Sequence, residues 1–440
     1  MTIGCSLRGQ AALVLISLIH GFVFIYLGTT GPLVGGDTSS YINSATIRTP
    51  LYPLFLKVVG LGAPDRHMST IIIVQLALGW GVGVYFLSLL KKVFTLNWYC
   101  LALLSLPIFH PYYFEKIKAG NFILSEGLAY PLFILYVSLW LNFCRSTGTK
   151  IWVAINLIMA LLILTRPQFL FLIPFHFCVS AVAFYFNKRN GLKFLFIFLS
   201  LCFFTHLSEK SWLFMNTGKF STISFTGIQL IALPIYLGLD SSDEKTDLDD
   251  LNILAQIRLE AKSRHLLLTD RTRKTRIPDH YFQIYNELVH SVVSKISVSA
   301  LKKAQSLSDL EAKTQGNKLL IDLSMDMIQT HPVLYLRMLT FFMIHKFGSM
   351  SFFVFILLLT LTFLIITLKS SHFSNIFMLG ILTMSWLNLF LIVLVEPMLK
   401  RYTMYSDGLF MIALILVLVR LSVQLGLEIH SQQIEKGLSR

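Results

Sequence analysis

Runs of about 17–22 apolar residues recur along the chain, separated by short polar connections, and each run is long enough to cross a bilayer core. They predict ten spans, near 11–28, 69–90, 97–113, 125–143, 151–165, 168–186, 193–207, 351–369, 375–395 and 405–426. The first run, from Ala11 to Gly28, lacks a clear small-residue cleavage site and reads as a retained span. A different pattern follows it. Leu51, Leu54, Phe55, Val58 and Val59 fall at i, i+3, i+4, i+7 and i+8, one face of an amphipathic helix, and Pro50 and Pro53 suit its start. Such a helix lies in the membrane interface rather than crossing it. The one large hydrophilic segment is 208–350. It holds Trp212, an apolar stretch over 228–239, an acidic run over 240–250 and a basic run from Arg258 to Arg276, and its pattern turns helical after Pro278. The acidic run lacks the ligand order of a calcium loop and reads as solvated. The expected organisation is a membrane module over 1–207, a small, mostly helical outer domain over 208–350, and C-terminal spans with an inner tail over 351–440.

Composition places the chain in one class. Its 440 residues are 55% hydrophobic and 14% charged, the balance of an all-α polytopic membrane protein. The net charge of +14 does not point to nucleic acid, because no basic domain with interleaved aromatics exists. The bases instead cluster in short connections: Lys91-Lys92, Arg145 and Lys150, Lys188-Arg189 and Lys193, and Lys369. The positive-inside rule puts these connections on the cytoplasmic side. Asp37, Asp65, Glu115, Glu126, Glu209, Glu396 and Asp407 then fall on the outer face or at the outer ends of spans. The polar chemistry is therefore expected outside. Five cysteines, none in an outer loop, give no disulfide framework and no Cys/His zinc spacing.

Several outer residues carry candidate chemistry. Asp37, in Gly36-Asp37-Thr-Ser-Ser-Tyr41, is an acid at a membrane boundary, which is costly enough to need a reason. It suits a general base, and it equally suits a helix N-cap; the two are compatible. Glu126 opens the fourth span, where it can cap the helix, orient an acceptor or hold a divalent cation. Glu115 and His110 on the same loop read as solvated. Arg166 sits at a tight turn between apolar segments with no acid near it in sequence. It either snorkels or grips a phosphate bidentately. Lys400-Arg401-Tyr402 is basic on the outer side, against the usual bias, and points to an anionic ligand. His331, followed by Pro332 and Tyr335, sits at a helix start, where a structural role competes with substrate contact.

The order Gly36-Asp37-x-x-x-Tyr41, Arg48-x-Pro50-x-Tyr52-Pro53, Ser125-Glu126, Thr165-Arg166-Pro167, His331-Pro332-x-x-Tyr335 and Arg401-Tyr402 resembles the GT-C class of integral membrane glycosyltransferases. Within it the chain is similar to bacterial relatives of the protein mannosyltransferase and lipid A aminoarabinose transferase group, and to phage-type O-antigen glucosyltransferases. The resemblance implies a GT-C-like bundle of about ten transmembrane helices in the bacterial inner membrane, with its site facing the periplasm. It implies a polyprenyl-phosphate-linked sugar as donor and a glycan or lipid acceptor of the cell envelope. Asp37 and Glu126 take the catalytic positions, with Glu115 the other candidate for the second. Arg166 and Lys400 or Arg401 take the donor phosphate, and Tyr41, Arg48, Tyr52, His331 and Tyr402 join them as substrate-binding residues. Many relatives carry an Asp-Glu pair where this chain has Asp37-Thr38, so no cofactor is assigned and a divalent cation stays open. In the expected mechanism Asp37 takes the acceptor's proton and the anomeric centre inverts. The alternatives are a transporter or flippase of lipid-linked sugars, and a polysaccharide polymerase or ligase. Transporters usually show internal repeats and midplane sites; here there is no repeat, and the ionisable groups gather at one boundary.

Overall fold

The computed structural model describes residues 2–44, 48–113, 119–186, 188–220, 226–239, 248–272, 275–370, 372–395 and 400–438. Glu115, Glu396, Arg273, Lys274 and most of the acidic run lie outside the described residues. Every regular element among the described residues is helical. In chain order they are α1 (Thr2–Thr29), α2 (Thr38–Ile42), α3 (Leu51–Val59), α4 (Met68–Phe94), α5 (Trp98–Tyr113), α6 (Glu126–Arg145), α7 (Thr149–Thr165), α8 (Leu172–Phe186) and α9 (Lys188–Thr217). Then come α10 (Thr226–Leu230), α11 (Ala232–Leu237), α12 (Leu248–Ser263), α13 (Ile277–Asn286), α14 (Lys295–Gln305), α15 (Asp309–Thr330), α16 (Pro332–Lys346), α17 (Met350–Lys369), α18 (Phe373–Val395) and α19 (Lys400–Leu438).

All ten expected spans fall on helices, but among the described residues only seven helices are long and apolar enough to cross a membrane. These are Gln10–Thr29, Met68–Phe94, Glu126–Arg145, Asn190–Thr217, Met350–Lys369, Phe373–Val395 and Lys400–Val423. The segments expected at 97–113, 151–165 and 168–186 are shorter helices. The helix α5 runs through Pro107 and Pro111, and its 16 described residues reach about 24 Å at 1.5 Å per residue, short of a core of about 30 Å. Pro167 ends α7, because proline disfavours a helical residue before it, and a 3₁₀ turn over Pro167–Phe171 precedes α8.

Two compact units emerge. The first comprises Met1–Ser221, Leu359–Asn388 and Lys400–Arg440; the second comprises Thr222–Leu358 and Leu389–Leu399. The expected boundary at 208 falls inside α9, so the hydrophilic unit begins later than its composition suggests. In the first unit α4 packs on α1 and α6, α7 on α6 and α9, α8 on α9, and α5 on α19. Small residues permit the closest approaches. Gly79 and Gly83, one turn apart on α4, face Tyr112 and Phe109 of α5; a Cβ on either would lie 2.3 and 2.5 Å from those rings. In the second unit Gly227 opens α10 against α15. Its N–H donates to Asn317 Oδ1 at 2.8 Å, and a Cβ there would meet the Asn317 carbonyl at 2.1 Å.

The amphipathic helix expected over 51–59 is present as α3, with Pro50 just ahead of it, and a second side of it is apolar as well. Tyr52, Pro53 and Leu56 are buried, while Leu54 and Val58 are exposed. The helix is apolar on both sides: one packs on protein and the other is left for a nonpolar surround. The Tyr52 hydroxyl donates to Gln75 Oε1 of α4 at 3.3 Å, which fixes α3 across the first unit.

Candidate functional site: a chain of alternating charges

The polypeptide leaving α1 does not wander. Leu33 forms an isolated parallel bridge with Phe122: Leu33 N–H donates to the Asn121 carbonyl at 2.8 Å, and Ile123 N–H donates to the Leu33 carbonyl at 3.1 Å. Thr38 completes the join by accepting from the Gly35 N–H and donating to the Ile123 carbonyl, at 2.9 and 3.0 Å. These bonds hold the turn before α2 against the start of α6, and so bring Asp37 and Glu126 to one place from 89 residues apart in sequence.

Asp37 precedes α2 but makes no side-chain cap. Its carboxylate belongs to two arginines instead. Arg48 Nη2 donates to Oδ1 at 2.7 Å, and Arg401 Nη1 donates to Oδ2 at 3.4 Å. Glu126 likewise is no simple cap. It is buried, with Arg166 Nη1 at 2.6 Å and Arg401 Nε at 3.9 Å from Oε1. The five side chains thus form a row, Arg48–Asp37–Arg401–Glu126–Arg166, in which every carboxylate lies between two guanidiniums. Exposure is highest at Asp37, whose side chain is 38% exposed, is 22% at Arg48 and Arg401, and drops to 2% at Glu126 and 11% at Arg166. The Asp37 half of the row meets solvent and the Glu126 half is largely sealed.

Neutral groups set the geometry. The Arg48 guanidinium lies over the Tyr41 ring at 4.5 Å and its Nε donates to Ser40 Oγ at 2.8 Å. The Tyr41 hydroxyl pairs with Ser125 Oγ at 3.0 Å, and Ser125 donates to Glu126 Oε2 at 3.3 Å, so a hydroxyl bridge runs from one acid's surroundings to the other's. Arg401 Nη2 donates to its neighbour's hydroxyl, Tyr402 Oη, at 2.8 Å, and Arg166 and Arg401 lie 5.1 and 4.8 Å from the Tyr402 ring. Behind them, Gln168 Nε2 donates to the Tyr402 carbonyl at 2.7 Å and to Asn388 Oδ1 at 3.0 Å. Thr49 Oγ1 donates to the Thr165 carbonyl at 2.9 Å and ties the polypeptide next to Arg48 to the end of α7. Beneath lies an aromatic floor in which Tyr405 packs on Phe133 and Phe169 at 5.1 and 4.9 Å.

Electrostatics at the open end follow from this packing. Burial pushes the Asp37 carboxyl up, but the charges and hydrogen bonds of Arg48 and Arg401 outweigh it and hold the group below the usual carboxylate range. Asp37 is an anion at any pH near neutral. A divalent cation placed between Asp37 and Glu126 would meet three guanidiniums, so the donor set does not suit one. Among the described residues no group of three or more His, Cys, Asp and Glu side chains has metal-holding geometry.

Of the residues singled out in the sequence, Asp37, Tyr41, Arg48, Glu126, Arg166, Arg401 and Tyr402 come together. Tyr52 does not reach the row: it is fully buried, edge-on to Tyr41 at 5.0 Å, and supports that ring from below. Arg166 differs from the expected free phosphate grip because Glu126, remote in sequence, already occupies it. Lys400 is exposed at the first residue of α19, one position from the row. His331 belongs to the second unit, where it ends α15 and starts α16, and the row is built without it. Sequence reasoning missed Ser125 as a bridge and the Gln168–Asn388 clasp; the available signal was a lone amide inside an apolar span. Comparison of the chain with protein-family models, curated proteins and solved structures finds no match.

Proposed function

We propose that the protein is a membrane glycosyltransferase that moves a sugar from a polyprenyl-phosphate donor to a hydroxyl acceptor, at the membrane face where the charged row opens. One observation carries the reading: three guanidiniums serve two carboxylates, and the unmatched one, Arg401, is held most loosely. Its contacts of 3.4 and 3.9 Å compare with 2.7 Å for Arg48 and 2.6 Å for Arg166. Arg48 and Arg166 are committed to the acids, which leaves Arg401 to take an incoming phosphate. When it does, Asp37 Oδ2 loses its partner and becomes available to an acceptor hydroxyl, while Arg48 keeps Oδ1 in place. The acceptor oxygen then attacks the anomeric carbon and its proton passes to Asp37. The bond from that carbon to the phosphate oxygen breaks, and the lipid phosphate leaves with its charge on Arg401. Attack opposite the leaving group inverts the centre. Glu126, sealed at 2% exposure, orients Arg166 and Arg401 rather than reacting.

The test is to incubate purified protein with polyprenyl-phosphate sugars and acceptor glycans and to quantify released lipid phosphate. Release is expected from the wild type. Asp37→Asn should lose about 10²–10⁴-fold, and Arg401→Gln about 10²–10³-fold, both with normal membrane insertion. Full activity of Asp37→Asn would sink the base assignment. Movement of intact donor across vesicles without release would make the protein a flippase instead.

A further inference from the structure

We infer that the first unit holds a second anionic site, for the phosphate headgroup of a membrane lipid, at the end of its helices away from Arg401. A cavity of about 540 Å³ opens between the ends of α4, α17 and α18 and the middle of α19. Most of its wall is apolar, from Phe94, Phe363, Phe373, Met378, Leu416 and Val423. Besides Thr95, its polar residues are Arg420, Asn375, His372, Ser370 and Ser374. Arg420 lies 19 residues past Arg401 on the continuous helix α19, about 28 Å along its axis at 1.5 Å per residue. That distance is close to the thickness of a bilayer core, so the two arginines mark opposite interfaces.

The polar corner is built to present donors. Asn375 is buried, and its Oδ1 accepts from Arg420 Nη1 at 2.7 Å, which aims the guanidinium and leaves its other N–H groups to a ligand. Asn375 Nδ2 is itself held by the Ser370 carbonyl at 3.4 Å. The Ser374 backbone N–H and hydroxyl both lie on His372 Nδ1, at 3.4 and 2.8 Å. An accepting Nδ1 places a ring proton on Nε2, so His372 also offers an N–H. Lys91, Lys92 and Lys369 close the same helix ends. No Asp or Glu occurs at 88–100, 359–380 or 412–427. A corner of donors with no carboxylate, opening onto an apolar wall at an interface, has the polarity of a lipid with an anionic head. Phosphate on Arg420 and His372, with an acyl or prenyl chain along Phe363, Met378 and Val423, satisfies both parts of the cavity.

Two sources share this chemistry, an anionic glycerophospholipid and a polyprenyl phosphate, and native mass spectrometry of the full chain separates them. Detergent-purified protein is titrated with each in turn, and with a zwitterionic phospholipid of the same chains. One tightly retained anionic lipid is expected, with the zwitterionic lipid held at least tenfold more weakly. Arg420→Gln removes the charge, and Val423→Trp fills the wall from an exposed position; each should reduce retention at least tenfold while the circular dichroism is unchanged. Whichever anionic lipid responds to both variants is the occupant. Equal retention by wild type and both variants, or equal binding of the zwitterionic lipid, overturns the site. Because the readout is retention and not transfer, it stands or falls apart from the glycosyltransferase reading.

Discussion

Burial alone would make Asp37 a weaker acid, and Arg48 and Arg401 reverse that, so its protonation is governed by neighbours the sequence does not pair with it. The depressed carboxyl contributes its stability above the ordinary value of about 3.9 and loses it only as pH falls through the lower native one. Removing a cation raises a carboxylate's pKa. Arg48→Gln should therefore move the acid limb of the pH–rate profile upward, measured as lipid-phosphate release, while wild-type activity holds to lower pH. An unmoved limb would show that Asp37 is not the titrating base. Arg166 allows a different distinction. If it is the counter-ion of Glu126, then Arg166→Met strands a buried carboxylate and costs about 3–5 kcal/mol, and adding Glu126→Leu recovers most of it. A thermal unfolding cycle reads this directly, and a double variant no more stable than the single refutes the pairing. The sequence made these residues candidates by type and boundary position, but not as partners. Arg166 and Glu126 are 40 positions apart, and nothing local in either segment encodes the other.

Helix pairing in the first unit rests on where side chains are absent. Gly79, Gly81 and Gly83 share one stretch of α4 yet have different surroundings. Gly79 and Gly83 are pressed by aromatic rings of α5, whereas a Cβ on Gly81 would meet nothing within 4 Å. Gly83→Val should thus overpack against Phe109 and cost about 1–3 kcal/mol. Gly81→Ala should be neutral or stabilising by up to about 1 kcal/mol, since alanine is the better helix former. Thermal melts of the two variants in one detergent check the contrast, and equal effects would mean α4 and α5 are not so closely apposed. Apolar length was enough to place a helix at each of the ten expected spans. It counted α5, α7 and α8 as spans although each is shorter than a bilayer core needs, and between α7 and α8 Pro167 and a 3₁₀ turn interrupt the helix without lowering hydropathy. At α3 the stripe read from periodicity includes the exposed Leu54 and Val58, while the buried Tyr52 and Leu56 lie off it, because periodicity finds one apolar stripe and does not report a second on the other side.

Charge is distributed so that each end of the first unit's helices has its own sign logic. Lys91, Lys92, Lys369 and Arg420 cluster at one end without a carboxylate, while Asp37 and Glu126 sit at the other among three arginines, one more than the acids balance. The positive-inside rule predicts that the first end stays in the cytoplasm, because lysines and arginines near short loops resist translocation. On that prediction the charged row opens outward, the orientation that the proposed transfer from a lipid-phosphate donor requires. Cysteines at Val34 and Leu421, both exposed residues at opposite ends, test this without reference to activity. In intact cells a membrane-impermeant thiol reagent should label Val34→Cys and spare Leu421→Cys, and in inverted vesicles the pattern should reverse. Each is scored against the native background, in which Cys178 is also exposed. Labelling of both sites from one side would break the transmembrane separation of Arg401 and Arg420. The reverse pattern in intact cells would keep that separation and put the charged row in the cytoplasm, where an acceptor on the outer surface could not reach Asp37.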